Sequence, residues 1–221
     1  MSSEIRPKQA LFEQLALIAQ ALASAARLEL LDFLAQGERS VEALAQAANL
    51  SLANTSKHLQ QLKAAGLVEG RRAGKHIYYV LADDRALDTI AALRVVAEAR
   101  LVRVNELLAS YLHRRDSLEP LPAEELLARV RDGLVTVVDV RPPVEYAQGH
   151  IPGALNLPLD ALHAETAALP REREIIAYCR GPWCVLSFEA VERLRAAGFN
   201  ARRLADGLPE WRHAGLPVET C

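Results

Sequence analysis

The run Ile175-Ile176-Ala177-Tyr178 constrains this chain most. It is apolar throughout, without polar alternation, which marks a strand covered on both faces in a parallel sheet. It runs straight into Cys179-Arg180-Gly181-Pro182-Trp183-Cys184, and helical spacing then continues over Val185–Ala197 to Gly198. Strand, tight turn and helix in that order form one βα unit. Val135–Val140 supplies a second apolar strand. A cysteine on a strand-to-helix turn sits where backbone N–H groups converge and the helix dipole points. Both effects favour thiolate, the reactive form. The pattern predicts an exposed nucleophile of lowered pKa at Cys179. The competing assignment is a buried, inert cysteine, since free cysteines are among the most buried residues.

At 221 residues the chain has room for one large domain or two small ones. Hydrophobic residues make up 51%, but aromatics only 5%, so leucine and alanine must fill the cores. The 3 cysteines all lie beyond Tyr178 and make no disulfide framework, which suits a reducing cytoplasm. The N-terminus lacks the apolar stretch of a secretory signal, and no run is long enough to span a membrane. Net charge is −2, with a small cationic excess in residues 1–115, an anionic excess in 116–221, and every lysine in the first part. That asymmetry fits an anion partner for the first half.

Further motifs flank the cysteine turn: Asp139-Val140-Arg141-Pro142-Pro143, Glu145-Tyr146, Gly149-His150-Ile151-Pro152-Gly153-Ala154, Asp206-Gly207-Leu208-Pro209-Glu210-Trp211, and Ala214-Gly215-Leu216-Pro217-Val218. In this order, from Pro120 to Glu219, they resemble the rhodanese (sulfurtransferase) domain. The resemblance implies an α/β domain with a parallel sheet, and a cysteine, here Cys179, that carries a persulfide from a sulfur donor to an acceptor. Cys179, Arg180, Cys184, Asp139 and Arg141 are the expected catalytic residues, and Gly181, Pro182 and Trp183 complete the active-site loop. Asp139, Arg141 and His150 are expected mainly to brace the domain. Asp206 stands where many members have glycine. Arg180 is the only basic residue of the loop, which disfavours the thiosulfate dianion relative to polysulfide or persulfide donors. A dual-specificity phosphatase is excluded, because its phosphate-gripping arginine would stand where Val185 is.

The first half reads as helices and one hairpin. Leu11, Leu15, Ile18 and Leu22 place an amphipathic helix over Lys8–Leu22. Ser24 is expected to cap a helix ending at Gly37, and Ser40 another over Val41–Ala48. Ser51 opens Ala53–Ala65, closed by Gly66. Leu67–Arg72 and His76–Leu81 read as strands joined by Ala73-Gly74-Lys75. One long helix is expected from about Asp84 to Leu112, with Leu87, Ile90, Ala97, Leu101, Val104, Leu108 and Tyr111 on one stripe. Two short helices and a hairpin make a winged helix-turn-helix.

Thr55-Ser56-Lys57-His58-Leu59, Ala65-Gly66-Leu67-Val68 and Gly74-Lys75-His76-Ile77-Tyr78-Tyr79 resemble the ArsR-type repressors over residues 8–100. The resemblance implies a dimeric repressor that binds an inverted repeat in double-stranded DNA and is released by a chemical signal. Asn54, Ser56, Lys57, His58 and Gln61 on the recognition helix, and Arg71, Arg72 and Lys75 on the wing, are the expected DNA contacts. His58 is equally suited to bracing the motif. The long stripe is expected to pair with a partner subunit, the alternative being packing against the second half. With no cysteine before Cys179, and His113 the only histidine of the last helix, no metal site and no cofactor are expected.

The domain boundaries follow: 1–112 for the winged helix, 113–121 for a polar, proline-rich linker, and 122–221 for the rhodanese-like domain. Three functions fit: a repressor that senses sulfane sulfur at Cys179, a sulfurtransferase tethered to a DNA-binding domain without signalling, or a repressor whose second half only binds a ligand or partner. Cys184 is either a second reactive thiol able to form a disulfide or trisulfide with Cys179, or small apolar filler under the loop.

Overall fold

The computed structural model describes residues 6–113, 119–162, 166 and 169–221. Most of the expected linker, including 114–118, lies outside these. The chain forms two compact units that divide between Ala91 and Ala92.

In the first unit, α1 (Pro7–Leu22) starts on a proline whose missing N–H costs nothing at that position. α2 (Ala25–Ala35) follows Ser24, which is extended but makes no side-chain capping bond, contrary to expectation. The two later serines do cap. Ser40 Oγ accepts from Ala43 N (3.2 Å) at α3 (Val41–Ala47), and Ser51 Oγ accepts from Asn54 N (3.3 Å) at α4 (Leu52–Ala64). β2 (Val68–Ala73) and β3 (His76–Leu81) form an antiparallel hairpin closing at Ala73 and His76, with Gly74 at φ +61° in the turn. β1 (Arg39–Ser40) pairs with the other edge of β3. Leu30, Leu31, Leu34, Leu44, Leu59, Leu62 and Tyr79 fill the core beneath.

The expected single helix from Asp84 to Leu112 is interrupted. α5 (Arg85–Arg100) ends at Leu101, which is extended (φ −105°, ψ 103°). α6 (Val102–Leu107) and a π-helical turn (Leu108–His113) follow. The Asn105 side chain donates to the Glu98 carbonyl (2.9 Å), supplying a hydrogen bond to the end of α5. The stripe is divided too. Ile90 packs against the N-terminal core and Leu112 is buried, whereas Leu93, Val95, Val96, Leu101 and Tyr111 are exposed.

The second unit is a three-layer α/β domain. Its parallel sheet has the order β5-β4-β6-β7, from β4 (Val135–Asp139), β5 (Leu155–Asn156), β6 (Glu174–Tyr178) and β7 (Ala201–Arg203). α7 (Ala123–Arg131) precedes the sheet, with Pro122 at its N-cap rather than inside it. α8 (Pro143–Tyr146), α9 (Val185–Ala196) and α10 (Leu208–His213) complete the domain. Alternation along β6 sorts the core. Ile175, Ala177 and Cys179 face a cluster with Ala190, Val191 and Leu194 of α9, while Ile176 and Tyr178 face Leu126 and Trp211. Cys179 therefore continues the α9 side of the strand. Among the described residues no helix is long and apolar enough to cross a membrane.

Candidate functional site

The β6–α9 turn wraps around the Cys179 sulfur. Cys184 N donates to Gly181 O (3.0 Å) and closes the loop. Ser187 Oγ lies 3.2 Å from Cys179 Sγ, and the Cys184 carbonyl 3.6 Å from it. Contrary to the sequence expectation, Cys179 is not exposed: it is 2% accessible. The strand alternation turns it inward, and the first turn of α9 lies beside it. Burial alone pushes its pKa up, but the Cys184 thiol, the Ser187 hydroxyl and the backbone N–H groups of Gly181 and Ser187 all donate to the thiolate. The donors prevail, and the pKa is lowered to about 7. Cys184 is pushed the other way, well above the ordinary thiol value, first because its proton is donated to Cys179. Cys179 thus has the expected lowered pKa without the expected exposure.

Arg180 is bonded to a carboxylate. Its guanidinium grips Glu145 through Nε (3.0 Å to Oε2) and Nη2 (2.7 Å to Oε1), and the Glu145 side chain is only 1% accessible. The loop's one cation therefore serves as an anchor. Glu210 Oε2 accepts from Gly207 N (3.1 Å), and its Oε1 lies 3.2 Å from Arg94 Nη2. Asp206 beside it has its pKa raised, first by burial and then by the Glu210 charge. Trp183 Nε1 donates to Glu98 (2.7 Å). Trp183 and Val185 also line an apolar pocket of about 210 Å³ with Leu108, Tyr111 and Leu112.

Asp139 and Arg141 pair with each other at the end of β4. Arg141 Nη2 donates to Asp139 Oδ2 (2.6 Å) and to Gly149 O (2.7 Å), both side chains being wholly buried. The pair ties the end of β4 to the following loop. His150 stacks on Tyr146 at 3.8 Å, with Nδ1 3.0 Å from the Tyr146 carbonyl.

Four contributors were not singled out from sequence. Ser187 has no motif around it; only its place on the first turn of α9 could have suggested it. Glu145 and Glu210 sit within the quoted motifs, but their partners are remote in sequence. Gly207 is required by close approach: a Cβ there would lie 2.3 Å from the Arg180 carbonyl carbon and 2.4 Å from Gly181 N. Leu208 N also donates to Cys179 O (3.2 Å), so this segment clamps the loop.

In the first unit, α4 presents Asn54, Ser56 and Lys57 to solvent near its N-terminal end, while Thr55, Leu59 and Leu62 are buried. Gln61 is exposed but accepts from Arg27 Nη1 (2.7 Å). His58 is half-buried, with Nδ1 lacking a hydrogen-bond partner. On the wing, Arg71 is paired with Glu38 through Nε (2.6 Å) and Nη2, and stacks on Tyr78. Arg72 Nε donates to Gly74 O (3.2 Å), and Lys75 is exposed. Asn54, Ser56, Lys57, Arg72 and Lys75 are thus displayed, whereas Gln61 and Arg71 are engaged within the protein.

Residues 122–214 match the rhodanese-like domain family, and residues 22–71 match a helix-turn-helix domain family. Over 219 residues the chain is 45% identical to an HTH-type transcriptional regulator of Mycobacterium tuberculosis, covering 99% of this chain and 96% of that one. It is 34% identical over 100 residues to a sulfurtransferase of Allochromatium vinosum, covering 44% of this chain and 92% of that one. Among solved structures, it is similar to fragment 1–100 of a Mycobacterium bovis protein, a homodimeric winged helix-turn-helix DNA-binding domain described as a possible ArsR-family transcriptional regulator. Identity there is 44%, with 46% of this chain and 94% of that chain covered, at a TM-score of 0.41.

Proposed function

Since this chain belongs to the HTH-type transcriptional regulators that join an ArsR-type winged helix to a C-terminal rhodanese-like domain, we propose that it is a repressor whose DNA binding responds to sulfane sulfur accepted at Cys179. The observation that carries this is the Cys179 sulfur itself. It is held by four donors with its pKa lowered to about 7, in a chain with no cysteine before it. A sensor without thiols in its DNA-binding half must keep its chemistry in the appended domain. The lowered pKa favours the thiolate, which is the attacking form.

The surroundings favour a singly charged donor such as an organic persulfide over the thiosulfate dianion. The loop's only cation is bonded to Glu145, and the neighbouring segment adds the carboxylates of Asp206 and Glu210. A dianion would meet more negative than available positive charge there. α5 offers a route for the signal. It begins in the DNA-binding unit and continues past Ala91, and its Glu98 accepts from Trp183 of the reactive loop while Arg94 bonds Glu210. A loop that changes shape on reaction acts directly on that helix.

The DNA-binding half works as a homodimer on an inverted repeat. Leu11, Phe12 and Leu15 of α1 are each more than half exposed, an apolar strip that a second copy would cover. Asn54, Ser56 and Lys57 then read or grip the duplex, with Arg72 and Lys75 on phosphates. The deciding experiment is operator binding by the purified protein, with and without inorganic polysulfide, for wild type and Cys179→Ser. Loss of wild-type binding on treatment, and none in the variant, is expected. Sulfur turnover at Cys179 with unchanged DNA affinity would instead establish a tethered sulfurtransferase.

A further inference from the structure

Resting on the proposed reaction at Cys179, we propose that Cys184 is a resolving thiol, so that the loop reduces sulfane sulfur to sulfide and stores the event as a Cys179–Cys184 disulfide. A sulfurtransferase would hand the sulfur atom on; this pair would discard it.

Both sulfurs occupy one loop. The Cys184 thiol donates to Cys179, and the Cys184 carbonyl lies 3.6 Å from Cys179 Sγ. Cys184 also receives N–H groups, from Arg180 and Leu186, as Cys179 does from Gly181 and Ser187. The turn therefore holds both cysteines together: the Cys184 backbone lies against the Cys179 sulfur, and Cys184 packs against the same cluster as Cys179. Cys184 is half-buried against the α9-side core but remains partly accessible, and neither cysteine is bridged. An apolar filler needs no donors. A resolving thiol needs a place on the nucleophile's own loop and partial access to solvent, and Cys184 has both.

The chemistry balances in two steps. Cys179 thiolate attacks the outer sulfur of a persulfide R–S–SH; the Cys179–S bond forms, the S–S bond of the donor breaks, and RS⁻ departs, leaving Cys179–S–SH. Cys184 then attacks the inner sulfur of that persulfide. The Cys179–S–S–Cys184 bond forms, the outer S–S bond breaks, and HS⁻ leaves with the Cys184 proton as H₂S. The sulfane sulfur gains two electrons and the two cysteines lose them. An external dithiol reductant returns the loop to its starting state by exchange.

Closure also has a mechanical consequence. Cys184 is the N-cap residue of α9, and Trp183 beside it is bonded to Glu98. Drawing Cys184 onto Cys179 pulls on both.

The test uses the full-length chain carrying Cys221→Ser, which removes the exposed third thiol. Reduced protein receives one equivalent of sodium tetrasulfide, and intact mass, free thiols and released sulfide are followed. The otherwise unmodified protein is expected to lose two hydrogens, gain no sulfur and release sulfide stoichiometrically. Adding Cys184→Ser should leave one extra sulfur on Cys179 and abolish that release. Cys184→Ala serves as a second variant in case the serine perturbs the loop. A stable Cys179 persulfide in the presence of Cys184, with the same product in both Cys184 variants, overturns the inference but leaves Cys179 as the acceptor. If Cys179 takes up no sulfur in any of the three proteins, the underlying reading of the site fails with it.

Discussion

Removing the Ser187 hydroxyl tests the electrostatics of the site most directly. The hydroxyl lies 3.2 Å from Cys179 Sγ, where it accepts from the thiol and donates to the thiolate, and the stronger bond to the charged form lowers the pKa. A hydrogen bond to a charged group is worth about 1.5–3 kcal/mol net. At roughly 1.4 kcal/mol per pKa unit, Ser187→Ala should raise the Cys179 pKa from about 7 by about one to two units. The sign follows from the depressed value: thiolate is present above the pKa and lost below it, so the variant loses thiolate at neutral pH. At pH 7 its thiolate fraction falls from about half to roughly 1–10%. Intrinsic nucleophilicity rises with pKa at a slope of about 0.4–0.5, which recovers part of the loss. Exchange with a small neutral disulfide should therefore be about two- to sixfold slower than wild type at pH 7, and faster than wild type near pH 10, where both are ionised. The assay follows the thiol released on first attack across pH, in the Cys221→Ser background. Crossing pH–rate curves are expected. An unmoved midpoint would show that the hydroxyl spends its proton on the Cys184 carbonyl, 3.5 Å away, and would refute the assignment.

Arg180→Ala leaves the buried Glu145 carboxylate without its bidentate partner and should cost about 3 kcal/mol, read from urea denaturation. Gly207→Ala forces a Cβ against the Arg180 and Gly181 backbone; a loss of roughly 1–3 kcal/mol and an altered Cys179 pH–rate profile are expected. Lys57→Ala with Lys75→Ala should weaken binding to all DNA sequences alike and flatten the salt dependence, measured by fluorescence anisotropy. Asn54→Ala should change preference among operator variants, by about 1–3 kcal/mol at the contacted base. Leu11→Glu with Leu15→Glu should shift sedimentation from dimer toward monomer and abolish operator binding.

What the sequence determined by itself was whatever local pattern encodes. The apolar run Ile175–Tyr178 implied a parallel strand, and β6 pairs in parallel on both edges. Ser40 and Ser51 marked helix starts, because an N-cap bond spans only three residues. The turn around Cys179 was legible because a strand, a short loop and a helix are consecutive in the chain. The burial of Cys179 was not legible, since it depends on which side of the sheet α9 covers. Nor was the fate of Arg180: its carboxylate partner Glu145 lies 35 residues earlier. Arg71 looked free for phosphate until the fold brought Glu38 to it across 33 residues. The break at Leu101 was hidden because no proline or glycine marks it, and the Asn105 side chain supplies its cap. Periodicity and capping act within a few residues, whereas ion pairs, thiol donors and glycine close approaches are fixed only when distant segments pack together.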